Sequence, residues 1–458
     1  MTFFFIFLFI CLEVVLIFNL LIVVHELGHF LAAKWRGLVV EKFAIWFGKP
    51  IWSKTIGGVE YRLGSIPAGG FVAIPQLAPM EALEGKVEQS RDQLPPVKPL
   101  DKIIVAAAGP LFSFGLAFAM ACIVWFVGKP QSEFDSTTIG YVKEGGPAGK
   151  AGLRVGDQIL AVDGQPVKHF LSGGTDSVKW RIIRSEGETI AFTVKRDGQE
   201  ITIPTGWTKP ETSSWRRPAL REVQIGPRLL PGIGFVVRGG LADRSGFQSG
   251  DLITEINGEP IYNIDEIGKF VNANRGKSLA VTVERGTSLV SLALPLAPDS
   301  PKSAPVNFGI EWGRTKLVYP DPFTQVRDAA TSIFRMVDAL ISSKSDVKAA
   351  HFSGPVGIMR LYYQIFENEN GWRIALAFSV LINVNLALLN LLPFPVLDGG
   401  HITLAIIEKI RRKPINVRVL EFVQTACALV LIGFMLYLTF YDVGDIFLPK
   451  PAAAEKSK

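Results

Sequence analysis

Cysteine is nearly absent from this 458-residue chain: there are three, Cys11, Cys122 and Cys427, all within apolar runs. Nothing is left over for a disulfide framework in the polar middle of the chain. Without CxxC or CxxH spacing, cysteine-based metal sites are excluded as well, and the three read as small buried hydrophobes. Charge is modest, with 20% Asp, Glu, Lys and Arg and a net charge of +6, so composition offers no electrostatic footprint for nucleic acid. The apolar opening lacks a basic n-region and a small-residue cleavage site. It is therefore expected to be a retained helix and not a removed leader.

Long apolar runs are what the chain does have. Phe3 to Ala33, Ile103 to Val127, Ile374 to Leu392 and Phe422 to Phe440 each have the length of a membrane span. Basic residues gather beside their ends. Lys34, Arg36, Lys42, Lys49 and Lys54 follow the first span, Lys98 and Lys102 precede the second, and Lys409, Arg411, Arg412, Lys413 and Arg418 separate the last two. By the positive-inside rule these connections are cytoplasmic, which puts both termini and the large central segment outside.

The first run is interrupted mainly by Glu13, Asn19 and the pentapeptide His25-Glu26-Leu27-Gly28-His29. Histidines four apart on a helix share a face and can grip one Zn²⁺, while the glutamate between them can activate water. Ionisable groups at bilayer depth are costly and usually functional. Lys34 follows His25 by nine positions, so the cluster is expected roughly 13 Å inside the cytoplasmic end of its helix. Glu13 falls near the opposite interface.

A catalytic zinc needs a third protein ligand and an open position for water. The candidate is Asp398, in Asn390-Leu391-Leu392-Pro393-Phe394-Pro395-Val396-Leu397-Asp398-Gly399-Gly400-His401. Its two prolines should break the third span, and broken helices at membrane depth occur where they line a protein-enclosed or watered cavity. His401 is left out of the set, because a fourth protein ligand would fill the water position. His169 and His351 lack any partner pattern.

Between the spans lie two further features. Glu60 to Ile74, with Pro67-Ala68-Gly69-Gly70, reads as a β-hairpin or looped sheet apolar enough to sit beside membrane helices. The central segment contains a repeat: Gly152-Leu153-Arg154-Val155-Gly156-Asp157-Gln158-Ile159 to Asp163-Gly164 matches Gly246-Phe247-Gln248-Ser249-Gly250-Asp251-Leu252-Ile253 to Asn257-Gly258. The repeat resembles two tandem PDZ domains over residues 131–313. Gly232-Ile233-Gly234-Phe235 resembles a PDZ carboxylate-binding loop that would receive a chain end. Farther on, Pro322 to Ile341 has helical apolar spacing and fits either a helix on the outer membrane surface or a docked interdomain helix.

HExxH in a first apolar helix, paired with a later N-x-x-P-x-P-x-L-D-G segment, resembles the site-2 protease family of intramembrane zinc metalloproteases. Tandem PDZ repeats between the two halves resemble its bacterial branch, which cleaves membrane-bound anti-sigma factors. The resemblance implies Zn²⁺ on His25, His29 and Asp398, Glu26 as general base, and Asn390 and Asn385 holding substrate or the oxyanion. For Asn385, interhelical hydrogen bonding is an equal reading. The resemblance further implies a multi-pass protein of the bacterial inner membrane with periplasmic PDZ domains and termini. Its substrates would be single-span membrane proteins already cut outside, and remnant signal peptides. A catalytically inactive PDZ scaffold and a metal transporter are the other functional classes that fit.

The expected architecture is a polytopic α-helical membrane protein of about four transmembrane helices with a membrane-associated β-loop and two external PDZ-like β-rich domains. Along the chain this gives a first membrane helix (1–34), a cytoplasmic segment with the β-loop (35–101) and a second membrane helix (102–128). Two repeat domains (129–222 and 223–316) and an amphipathic surface-helix region (317–371) follow. A third, broken membrane segment (372–401), a basic cytoplasmic loop (402–421) and a fourth membrane helix with a tail (422–458) complete it.

Overall fold

A computed structural model describes residues 2–447, apart from 78–93, 96, 133–136, 172–175, 211, 213–215, 229–230, 237–239, 263, 275, 297–308, 314, 343–344, 367–370 and 413–416. Residues 78–93 of the expected cytoplasmic segment, 297–308 of the expected second repeat domain, Lys413 and the tail beyond 447 lie outside the described residues. The chain divides into two units: 1–129 with 319–334 and 352–458, and 130–318 with 335–351.

The first unit is built on helices α1 (Thr2–Trp35), α2 (Pro99–Val127), α4 (Pro355–Phe366), α5 (Gly371–Asn390), α6 (Asp398–Arg411) and α7 (Val417–Phe447), with the first part, up to 334, of α3 (Pro322–Ile341). Four stretches, Leu8–Trp35, Pro99–Val127, Gly371–Asn390 and Val419–Phe447, are long and apolar enough to cross a membrane. Small residues let them approach. A Cβ on Gly28 of α1 would lie 2.5 Å from the Ala108 carbonyl oxygen of α2, so glycine is what permits that crossing. Leu21, Ala117, Met120, Ala121, Val380 and Val384 then form one buried cluster from α1, α2 and α5.

Strands β1 (Lys42–Ile56) and β2 (Val59–Ala73) join through Gly57-Gly58, both at positive φ as a tight hairpin turn requires. The sheet starts well before Glu60 and is more folded than a simple hairpin. Lys42–Ile45 pairs with 60–63 on one side and with 70–73 on the other, while 60–63 also pairs with 52–55. Four strips result, 42–45 running parallel to 60–63 and the outer two antiparallel to their neighbours, and among the described residues the strip 70–73 has a paired neighbour on one side alone.

The break in the third span occurs as the prolines require: α5 ends at Asn390 and α6 begins at Asp398. Gly399 and Gly400 make the reversal feasible, because a Cβ at either would lie 2.2 Å or less from a carbonyl oxygen of the break, Leu391 or Phe394. Two expectations need correcting here. The connection placed at 402–421 is helical as far as Arg411, since the sequence after Asp398 keeps a helical apolar spacing despite its basic end. Within 317–371 there is a second helix, α4, which closes on α1 and α5 through the fully buried Tyr362.

In the second unit the repeat seen in sequence is a repeat in structure. Residues 158–162, 165–166, 190–196 and 199–205 form a four-stranded sheet ordered with 165–166 at one edge and 199–205 at the other; 252–256, 259–260, 278–285 and 288–295 do the same in the same order. Corresponding interactions recur. Asp157 is gripped by Arg196 at 2.7 Å from both Nε and a terminal nitrogen, and Asp251 is gripped in the same way by Arg285. Asp163-Gly164 and Asn257-Gly258 turn at positive φ, and each polar side chain accepts a bond from a facing strand, Ala191 N–H or Ala280 N–H. Each domain closes over its own core, around Ile159, Phe192 and Val194 in one and Ile253, Val281 and Val283 in the other. Residues 335–351 pack on the first domain through Ala339 and Val347 against Ile183. Arg221, Lys209 and a buried Asp346 form an ion-pair cluster there, at 2.7 Å from Arg221 and from Lys209.

Candidate metal centre

α1 and α6 bring three donors to one point. His25 Nε2 and His29 Nε2 lie 3.3 Å apart, and the Asp398 carboxylate oxygens lie 3.2 Å from the first and 3.3 Å from the second. Tetrahedral zinc with nitrogen or oxygen bonds of about 2.0–2.1 Å requires donor separations of about 3.3–3.4 Å. These are the three residues among those described whose ligand atoms cluster tightly enough to hold an ion. The donor set fits zinc in type as well as spacing.

The rings are aimed by their other nitrogens. His29 Nδ1 donates to the Val105 carbonyl at 2.8 Å, which leaves the Nε2 lone pair facing the centre. His25 Nδ1 lies 3.0 Å from the hydroxyl of Ser113, a fully buried residue. Both partners sit on α2. So does Gly109, where a Cβ would lie 2.2 Å from His29 Nε2 and 2.9 Å from His25 Nε2. α2 thus orients both imidazoles and leaves room for them. Gly109 and Ser113 escaped the sequence reading because a Gly and a Ser four apart in an apolar helix look like ordinary helix-packing residues.

The centre opens on a cavity of about 300 Å³, lined among others by His25, Glu26, His29, Phe47, Gly70, Phe71, Asn390, Asp398 and His401. Glu26 packs beside Gly70, so the unpaired edge strip of the sheet and the glutamate share a wall. Asn390 Nδ2 lies 3.3 Å from His25 Nε2. Asn385 does not line this cavity. It sits five residues before Asn390, about 140° around the helix, and its side-chain oxygen is buried without a hydrogen-bond partner. Lys102 and Glu408, which also line the cavity, pair at 2.6 Å.

In the second unit, the residues 232–235 are not equivalent. The Ile233 N–H donates to the Asp251 carbonyl at 2.8 Å and its side chain is fully buried, while Gly234 is exposed.

The profile of peptidase family M50 matches residues 13–434. This chain belongs to peptidase family M50. The regulator of sigma-E protease RseP of Escherichia coli is 30% identical over 453 residues, covering 93% of this chain and 96% of that protein. Protease RseP of Yersinia pestis is 29% identical over 449 residues, with 93% and 96% covered. A Vibrio cholerae protein, 29% identical over 454 residues with the same coverage, carries a zinc-metalloprotease designation. The M50 membership makes the chain an intramembrane zinc metalloprotease of regulated proteolysis, and its apolar helices and relatives place it in the bacterial inner membrane.

Proposed function

We propose that this M50 protease cuts within the membrane segment of single-span proteins, of the anti-sigma-factor type, after another protease has removed their external part. The observation that carries the site assignment is the convergence of His25, His29 and Asp398 at zinc-like separations, on the cavity that Glu26 also lines. His25, His29 and Asp398 are the ligands in this reading. Zinc held there would supply Lewis acidity, polarising the scissile carbonyl and making attack by water feasible near neutral pH. Glu26 takes the proton from the attacking water and delivers it to the leaving amide nitrogen. The Asn390 amide donates to the oxygen on which charge develops.

A helical substrate shields its own carbonyls, so it must unwind before cleavage. The strip 70–73 offers an unpaired strand edge beside Glu26, and an unwound segment that adds to it gains backbone hydrogen bonds in an apolar setting. A scaffold would have no use for Glu26 in such a place, and a transporter would have no use for an edge strand beside it.

The two repeat domains are PDZ-like in this reading, periplasmic, and act as a size gate. Their place in the chain, between the two halves of the metal site, supports it. Capture of a freshly cut chain end by Gly232, Ile233, Gly234 and Phe235 is secondary, because one of those N–H groups is already engaged. The test is removal of residues 131–313 through a short linker in a reconstituted enzyme. Untrimmed single-span substrates are expected to become cleavable; a folded, zinc-loaded deletion variant that still cuts trimmed substrates alone contradicts the gate.

A further inference from the structure

Asn19 is a polar residue in the middle of the first apolar run, two turns before the metal-binding histidines, and the mechanism gives it no part. Its environment shows what it holds. The Asn19 Nδ2 donates to the Val15 carbonyl one turn back at 2.6 Å, which orients the amide, and its oxygen accepts the indole N–H of Trp46. Trp46 sits at the point where β1 leaves the strip 42–45, between the paired residues Ile45 and Phe47, with φ at +70°. A bulky side chain rarely adopts that conformation, and it persists only where the surroundings impose it.

The residue after the strained one lines the cavity. The Phe47 ring stacks on Phe71 with planes 10° apart, and it lies so close to Gly69 that no Cβ would fit there. Phe47, Gly70 and Phe71 line the same cavity as Glu26, with Gly70 beside the Glu26 side chain. An indole N–H without a partner beside a membrane helix is costly, so the Asn19 acceptor and the reversed backbone at Trp46 stabilise each other.

We propose that the Asn19–Trp46 hydrogen bond is a positioning device for substrate: it keys the edge strip 70–73 to the helix that carries Glu26 and so sets where an unwound segment lies relative to the base. This rests on the reading of that strip as the substrate-binding edge. Neither residue touches the reacting atoms.

The experiment uses the full chain in proteoliposomes, with two readouts. One is oxidative cross-linking of cysteines placed at Ile22 and Gly70, whose side-chain positions nearly touch (3.2 Å), with Cys11, Cys122 and Cys427 replaced by alanine. It reports strip position without substrate. The other is steady-state cleavage of a trimmed single-span protein by the enzyme with its native cysteines. Asn19→Leu and Trp46→Phe are each expected to reduce cross-linking and to raise KM on the order of tenfold, with kcat within about twofold and zinc content unchanged. The double variant should be no worse than either single. Trp46→Gly in the Asn19→Leu background should recover KM, because glycine takes φ +70° freely and leaves no indole to satisfy. Unchanged cross-linking in Asn19→Leu, or additive effects in the double variant, overturns the proposal. Reduced cross-linking with unchanged KM instead overturns the substrate-edge reading beneath it.

Discussion

Gly109→Ala gives a sharp physical test of the metal centre. The added methyl would sit 2.2 Å from His29 Nε2 and 2.9 Å from His25 Nε2, on the face where both rings present their ligand atoms. Non-bonded carbon and nitrogen atoms settle at roughly 3.5 Å, so the His29 ring must retreat by more than about 1 Å. Metal bonds tolerate displacements of about 0.2 Å, and disturbance of ligand orientation typically costs 10–100-fold in affinity or activity. A loss of zinc affinity of about 100-fold is therefore expected, measured by competition with a chelator on purified protein. The fold should not suffer in parallel. Alanine is favoured over glycine inside a helix by about 1 kcal/mol, which offsets part of the cost of turning the metal-free rings away from Val105 and Ser113. Zinc affinity equal to the wild type in a folded Gly109→Ala protein would refute the geometry on which the site rests.

Three further outcomes are expected. Asp398→Asn, which loses the anionic ligand, should weaken zinc binding as well as activity; full occupancy and turnover would remove Asp398 from the ligand set and leave it the first residue of α6. In the repeat unit, burial alone would push the Asp346 carboxyl up, but Arg221 and Lys209 hold it below the usual carboxylate range. Stability from such a depressed value is fully present above the unfolded pKa of about 4 and is lost as pH falls through the folded one. Asp346→Asn should accordingly destabilise the repeat unit by about 3 kcal/mol at pH 7, a gap in thermal melts that narrows below about pH 4; a gap constant down to pH 3 contradicts this. Finally, cysteines at Gly198 and Arg412 in an otherwise cysteine-free chain should be labelled from the periplasm and the cytoplasm respectively, and labelling of Gly198 only after the inner membrane is permeabilised would reverse the orientation.

Much of this molecule is legible from its residues because membrane and metal impose strict patterns. Apolar runs of span length, His25 and His29 one helical turn apart, and two prolines before Asp398 have few other physical solutions, and the repeat announces itself through paired Gly-Asp turns. The parts that stayed hidden depend on encounters between distant segments. Nothing in Gly109 or Ser113 distinguishes them locally, and their importance comes from the histidines that α1 presents to them. Asn385 and Asn390 look alike as letters, yet five helical positions put one into the cavity and turn the other away. The curl of β1 between two strips of β2 depends on Trp46 and close glycines, which no alternation pattern reports. Helix α4 is only 12 residues long, too short to stand out as a span, and its role comes from Tyr362 meeting α1 and α5.

The central claim is that Glu26 is the proton-transferring group of a zinc site built from His25, His29 and Asp398. It is tested most directly by Glu26→Gln, purified and reconstituted, with zinc content and cleavage of a trimmed single-span substrate measured on the same sample. The amide keeps the size of the side chain but cannot accept the proton, so full zinc occupancy with no detectable cleavage is the result predicted. Substantial turnover by the zinc-loaded variant would contradict the account.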